Sequence, residues 1–332
     1  MNFKLFQMDV KSAFLNGLIQ EEVYVEQPPG FENFEKSNHI FKLHKALYEL
    51  KQAPRAWYER LSKFLVEKGY DRGSIDTTLF IKRYLNDLIV VQIYVDDIVF
   101  GATNEALWKK FAKEMQGEFE MSMIGELKYF LCLQIKQSEE EIFINQERYT
   151  HDMLKKFDML KLKSISTPMS PSTKLDLDEK DVDFAGSRTD KKSTSGTCQF
   201  LRRMLVSWSS KKQNLVALST AEAEYVSLGS CCAQILWIKQ QLKYYGMTMH
   251  NVPIYCDNMS AINISKNPMQ HSRTKHIEIR NHFIRDHVMK NDIKIEFVNT
   301  LHQLADIFTK PLSEDKFCEI RRNLGIISVK EL

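Results

Sequence analysis

Two adjacent carboxylates, Asp96 and Asp97, interrupt an otherwise apolar, β-branched run, Leu88-Ile-Val-Val-Gln-Ile-Tyr-Val-Asp-Asp-Ile-Val-Phe-Gly101. An unpaired buried carboxylate is very costly, so acids in such a setting need a cation or a strong partner. Hard oxygen ligands suit Mg²⁺ or Mn²⁺, and magnesium commonly shares its sphere with substrate phosphates. A third acid, Asp9, ends an apolar stretch near the start of the chain. If the two strands are neighbours in one sheet, their acids can share a metal pair that clamps the attacking and leaving oxygens of a phosphoryl displacement. For the Asp96/Asp97 stretch taken alone, a solvent-exposed turn without chemistry is the alternative. Phe14, five residues after Asp9, is either a ring beside the metal site or a core residue.

A second set of acids lies in the other half of the chain. Asp181 heads Asp-Val-Asp-Phe-Ala-Gly186, Asp257 ends Val252–Cys256, and Asp306 follows Gln303-Leu-Ala305. Helical spacing groups Glu224 with Leu228, Cys231 and Ile235, on the side that faces a core. Glu222 points elsewhere and, three residues after Ser219, reads as half of a capping box. Each acid taken singly is more often a surface or cap residue than a ligand. Four at the ends of successive α/β elements form a candidate metal centre.

The elements that must position these groups follow from periodicity. Val, Ile, Tyr and Phe around Asp96 and Asp97 favour two core strands, with the acid pair at the bend. Phe3, Phe6, Met8 and Val10 read as a core strand that delivers Asp9. Leu43–Lys68 reads as a long amphipathic helical region broken near Pro54, and further helices are expected over 104–118 and 147–157. The polar stretch 164–180 divides the chain into domains over 1–163 and 181–332. In the second, a hairpin over 197–209, a helix over 219–246, a strand at 252–256, helices near 258–266 and 274–290, a strand at 293–298 and a helix from about 302 are expected.

The 332 residues suffice for two cores, and 43% hydrophobic with 27% charged residues is ordinary for a globular protein. Residues 1–180 carry 25 Lys/Arg against 28 Asp/Glu, whereas 181–332 carry 21 against 15. A basic second half is compatible with nucleic acid. Six cysteines without a CxxC pair or zinc-knuckle spacing read as reduced thiols of an intracellular protein. There is no signal-peptide pattern and no uncharged run of membrane-spanning length, so no membrane partner is expected.

Gln7-Met-Asp-Val-Lys-Ser-Ala-Phe-Leu-Asn-Gly17, Gln27-Pro-Pro-Gly-Phe31, Lys45-Ala-Leu-Tyr48, Leu50-Lys-Gln-Ala-Pro-Arg-Ala-Trp-Tyr58 and Tyr94-Val-Asp-Asp97 together closely resemble the reverse transcriptase of copia-type LTR retrotransposons. The resemblance implies that Asp9, Asp96 and Asp97 are the palm carboxylates, that Phe14 is the gate excluding a ribose 2′-hydroxyl, and that Gln52 touches the incoming nucleotide or template. Trp57 and Arg55 read as packing and helix-surface residues. The second half, through Lys192-Ser-Thr-Ser-Gly196, Ala217-Leu-Ser-Thr-Ala-Glu-Ala-Glu-Tyr225, Tyr255-Cys-Asp-Asn258 and Ala305-Asp-Ile-Phe-Thr-Lys310, resembles the ribonuclease H domain of the same polyprotein. That resemblance implies two-metal hydrolysis of the RNA strand of an RNA–DNA hybrid by Asp181, Glu224, Asp257 and Asp306. The expected class is α/β: an α+β palm followed by a ribonuclease H-like mixed-sheet domain. The implied partners are an RNA template, a DNA primer, dNTP and the hybrid, with the parent polyprotein or a second Pol subunit. The implied location is a cytoplasmic virus-like particle.

Departures from the family pattern temper the expected activity. Relatives have a fingers subdomain before the first palm aspartate and a long segment between Thr167-Pro-Met-Ser-Pro-Ser-Thr173 and the ribonuclease H aspartate. Here Lys174-Leu-Asp-Leu-Asp-Glu-Lys180 runs straight into Asp181. Glu49, Cys132 and the pair Arg202-Arg203 stand where the family has glycine or a glycine-containing turn. Glycine at such places supplies positive φ or close backbone approach, so strain is expected there. The chain reads as an internally deleted copy, its polymerase activity expected to be absent and its ribonuclease activity weak or absent. A catalytically inactive nucleic-acid-binding remnant is the alternative. An integrase of the same superfold lacks its His-His-Cys-Cys zinc module and leaves the palm motifs unexplained.

Overall fold

A computed structural model of the chain describes residues 3–139, 141–169, 192–266 and 278–327 (main chain only over 278–282). Asp181 and residues 170–180 of the expected linker lie outside the described residues. The chain divides into two compact units, Met1–Leu162 and Lys163–Leu332. Helices and sheets are mixed throughout, and the fold is of the expected α/β class.

In the first unit the strands are β1 (Lys4–Val10), β2 (Tyr24–Val25), β3 (Phe41–Lys42), β4 (Asp71–Arg72), β5 (Leu79–Tyr84), β6 (Asp87–Tyr94), β7 (Asp97–Ala102), β8 (Met121–Glu126), β9 (Tyr129–Phe130), β10 (Leu133–Gln137) and β11 (Ile142–Asn145). Helices α1 (Ala53–Glu67), α2 (Glu105–Glu118) and α3 (Glu147–Lys156) join them. Six strands form one antiparallel sheet in the order β4-β5-β6-β7-β1-β8. Because side chains alternate across a strand, Met8 and Val10, Ile89, Val91 and Ile93, and Ile98 and Phe100 line one buried face. They pack with Trp57, Leu61, Phe64 and Leu65 of α1 and Phe111 and Met115 of α2. The other face carries Gln7, Asp9, Gln92 and Asp97. One side is thus largely apolar and buried, and the other mixes these polar groups with Leu5, Val90 and Val99.

Three expected elements differ from the fold. The helix read over Leu43–Lys68 begins only at Ala53, with Pro54 in its first turn. Proline has no N–H to donate and its φ suits a helix start, so it opens α1 instead of breaking a longer helix. The acid pair is not the two-residue bend. Val95 and Asp96 make the turn, while Asp97 already belongs to β7 and pairs with Tyr94. In the second unit, the helix expected from about 302 is a 3-10 turn at Thr300–His302, another at Leu304–Phe308, and then an α-helix over 314–323.

The second unit contains β12 (Thr194–Leu201) and β13 (Met204–Lys212) as an antiparallel hairpin, and the long helix α4 (Thr220–Tyr244). There follow β14 (Val252–Cys256), α5 (Met259–Lys266), α6 (Glu278–Met289), β15 (Ile293–Phe297) and α7 (Glu314–Asn323), with β14 and β15 parallel. A parallel pair needs a crossover, supplied here through α5 and α6. Tyr225, Leu228, Cys232 and Ile235 of α4 pack with Ile254, Cys256, Ile262, Ile284, Ile293 and Ile295. At the start of α4 the Ser219 hydroxyl caps the helix by accepting from the Glu222 N–H, and the Glu222 carboxylate folds back to accept from the Leu218 N–H at 2.7 Å, one residue before the cap. Among the described residues, no helix is long and apolar enough to cross a membrane.

Candidate active site

The first acid cluster is built by strand register. β1 and β7 are adjacent and antiparallel, and Asp9 lies directly opposite Asp97. Opposed residues of an antiparallel pair put their side chains on the same face. Asp96, in the turn, is tied to β1 because its carbonyl accepts from the Val10 N–H at 3.2 Å. Three carboxylates therefore gather at one end of two neighbouring strands. Burial first, then the charges of Asp96 and Asp97, raise the Asp9 carboxyl above its ordinary range. Among the described residues, neither the Asp9 nor the Asp96 carboxylate has a hydrogen-bond or ion-pair partner. One Asp97 oxygen accepts from the Gln7 side-chain amide at 2.8 Å.

Phe14 and Gln52 sit on elements nearby in sequence. Phe14 is in the 3-10 turn Ala13–Asn16, half-buried, its ring 4.7 Å from that of Tyr48. Gln52 is the residue before α1; its carbonyl accepts from Ala56, and its side chain makes no capping bond. Gly17 lets this segment approach α1, since a Cβ there would meet Ala56 and Trp57 backbone atoms at 2.7 Å.

The second cluster is built by packing. Glu224 comes from α4, Asp257 directly follows β14, and Asp306 lies in the 3-10 turn Leu304–Phe308. Ligand atoms of Glu224, Asp257 and the buried Cys256 all lie within 4.8 Å of one another. Burial, then the charges of Asp257 and Asp306, push the Glu224 carboxyl up to about 7, with Lys310 acting in the opposite sense. Burial also raises Asp306, partly offset by Lys310, whose ammonium lies 2.8 Å from its carboxylate. The Asp306 turn is seated on the β12–β13 hairpin. The Ser210 hydroxyl donates to the Phe308 carbonyl at 2.6 Å, and a Cβ on Gly196 would stand 2.7 Å from the Ala305 carbonyl. Gly196 is glycine for close approach, not for a special φ.

The structure thus brings Asp9, Asp96 and Asp97 together, and separately Glu224, Asp257 and Asp306, while Asp181 lies outside the described residues. The first donor set is three carboxylates whose mutual repulsion a divalent cation would relieve, and the second offers the carboxylates of Glu224 and Asp257 beside the Cys256 thiol, with Asp306 paired to Lys310; the hard oxygens of both fit Mg²⁺ or Mn²⁺. Sequence reasoning passed over Gln7, Cys256 and Lys310. Gln7 alternates with Asp9 on the polar face of β1, which was a usable signal. Nothing local marks Cys256 or Lys310 as neighbours of Glu224.

In the first unit, then, an antiparallel sheet gathers carboxylates where a hairpin meets a neighbouring strand. The chain belongs to the reverse transcriptase family: residues 1–171, just over half of it, match the family described as reverse transcriptase (RNA-dependent DNA polymerase). The retrovirus-related Pol polyproteins from transposons RE2 and RE1 of Arabidopsis thaliana are each 32% identical to it over 97% of its length. That from transposon TNT 1-94 of Nicotiana tabacum is 29% identical over 99%. These relatives place the chain among copia-type retrotransposon Pol fragments. It spans 28%, 27% and 31% of their respective lengths. The alignment with the RE2 polyprotein runs over 401 residues against the 332 of this chain, so at least 69 positions of that relative have no counterpart here.

Proposed function

We propose that the chain is a fragment of an RNA-directed DNA polymerase with an attached ribonuclease H, retaining both acid centres and impaired in the work they do. The observation that carries the polymerase reading is the direct opposition of Asp9 and Asp97 beside the Asp96 turn. Asp9, Asp96 and Asp97 would hold divalent cations, which when bound supply charge stabilisation for phosphoryl transfer. Around them, Gln7 fixes one Asp97 oxygen, and burial with the charges of Asp96 and Asp97 raises the Asp9 carboxyl above its ordinary range. Phe14, braced by Tyr48, offers a rigid ring near the strand that carries Asp9. Its proposed role is to exclude the ribose 2′-hydroxyl of an incoming nucleotide, and that of Gln52 is to touch nucleotide or template.

The ribonuclease H reading rests on Glu224, Asp257 and Asp306 meeting from three separate elements, with Asp181 proposed as the fourth ligand. Its substrate would be the RNA strand of an RNA–DNA hybrid, recognised through 2′-hydroxyls. The proposed domains are a palm with thumb remnant over 1–163, a junction over 164–180 and a ribonuclease H-like domain over 181–332. The proposed partners are an RNA template, a DNA primer, dNTP and the parent polyprotein, in a virus-like particle.

A second reading, a catalytically inactive nucleic-acid-binding remnant, is favoured by specific observations. Glu49, Cys132 and Arg202 take φ of 74°, 67° and 58°, a region costly for L-residues and natural for glycine, and at least 69 positions of the RE2 relative are missing. Primer extension on poly(A)/oligo(dT) with Mg²⁺ or Mn²⁺, run beside cleavage of a labelled RNA–DNA hybrid, separates the readings. The expected result is no extension and weak, metal-dependent cleavage that disappears in Asp257→Asn. No product from either reaction, with hybrid binding retained, establishes the remnant.

A further inference from the structure

We infer that Gln7 and Trp57 are positioning residues for the first carboxylate centre, gripping the Tyr94–Asp97 hairpin from the two faces of the sheet. The inference rests on the reading of that centre as a metal site. Two-residue hairpin turns favour residues that accept positive φ, chiefly Asn, Asp and Gly. Here the first turn position is Val95 at φ 56°, a conformation that is a true outlier for a β-branched residue. Such strain persists only where the surroundings over-determine it.

The surroundings supply two bonds. The Trp57 indole N–H donates to the Val95 carbonyl at 2.7 Å. Its ring is 1% exposed and packs edge-on against Phe119 at 5.2 Å between centroids, so the indole cannot follow the turn if the turn relaxes. On the opposite face, Gln7 is 9% exposed and donates to Asp97 at 2.8 Å. The carboxylate can only accept, so the amide nitrogen must face it. One bond holds the peptide just before Asp96, and the other holds the carboxylate just after it. Asp96 itself is pinned by its carbonyl to Val10, leaving its side chain available between the two grips. Trp57 therefore does more than fill the core: its single polar atom sets the angle at which the acids leave the sheet. Partners that orient ligands from outside the coordination sphere typically contribute 10- to 100-fold to metal affinity.

The test uses the full chain carrying Asp257→Asn to silence the second centre, with Mn²⁺ binding followed by the EPR signal of free and bound ion. Binding that is lost in Asp9→Asn and weakened about tenfold in Trp57→Phe and in Gln7→Met, with an altered bound-ion line shape, is expected. Leu61→Val, in the same core, controls for general destabilisation and is expected to keep the parent affinity. If Asp9→Asn binds as the parent does, the metal reading of the centre fails and the inference falls with it. If Asp9→Asn abolishes binding but Trp57→Phe and Gln7→Met bind as tightly as the parent, the centre stands and the positioning role is overturned. A loss no greater than that in Leu61→Val overturns it as well. Should Trp57→Phe not fold, Gln7→Met alone decides, since it sits on the polar face.

Discussion

The two acid centres are assembled by different physics. In the first unit the ladder of β1 and β7 sets Asp9 opposite Asp97, and the acids come from strands already joined by backbone hydrogen bonds. In the second, Glu224, Asp257 and Asp306 arrive from a helix, a strand end and a 3-10 turn that no shared ladder joins, brought together by packing and by contacts such as the Ser210–Phe308 hydrogen bond. The difference shows in their electrostatics. Burial and then neighbouring carboxylates raise both Asp9 and Glu224, the latter to about 7, but among the described residues only in the second centre does an ammonium, that of Lys310, stand beside one of the acids, Asp306. A register-built centre tolerates its own repulsion because the ladder resists separation. A packing-built centre needs an internal cation or a bound metal.

The largest separation of the two should come from single ligand changes. Asp257→Asn is expected to reduce hybrid cleavage to background while leaving Mn²⁺ binding at the first centre, and Asp9→Asn to do the reverse; EPR titration and gel assays read both. Next is the pH dependence of stability. Glu224 binds a proton more tightly folded than unfolded, so its ionisation destabilises the unit as pH rises from 4.5 through about 7. Glu224→Gln should therefore unfold at higher denaturant than the parent at pH 8 without metal, by roughly 1–3 kcal/mol, the gap closing near pH 4.5. Equal midpoints at both pH values would show that the carboxyl is not buried as described.

Steric tests are of similar or smaller size. Gly196→Ala is expected to cost about 1–3 kcal/mol by driving a methyl into the Ala305 carbonyl, and to weaken metal binding at the second centre by displacing Asp306. Gly101→Ala, 2.7 Å from the Lys4 carbonyl, should instead strain β1 against β7 and weaken the first. Metal titration of both variants shows whether each defect stays in its own unit. The smallest effects belong to the left-handed residues. Glu49→Gly, Cys132→Gly and Arg202→Gly should each stabilise by about 0.5–1 kcal/mol, seen as upward shifts in thermal unfolding. A loss of stability would mean that the side chains contribute contacts that outweigh the strain.

Much of this was readable in the chain itself. Alternation in Gln7–Val10 and Ile89–Phe100 specifies buried strands, because a pleated segment exposes one face to each side. Ser219 with Glu222 specifies a helix start, and Glu49, Cys132 and the Arg202-Arg203 turn, expected to strain where the family pattern has glycine, do include residues with the positive φ that glycine accepts. Pro54 misled as a helix break because its role depends on whether the preceding segment is helical, and residues 43–52 are turn and extended chain.

Sequence alone singled out the candidate acids and most of the elements that carry them, since residue type and period act over a few residues. Tertiary structure alone decided which acids meet, that Trp57 spends its N–H on the Val95 turn, and that Lys310 sits against Asp306. Those outcomes depend on register and packing between segments distant in the chain, and no local pattern encodes the distance between them.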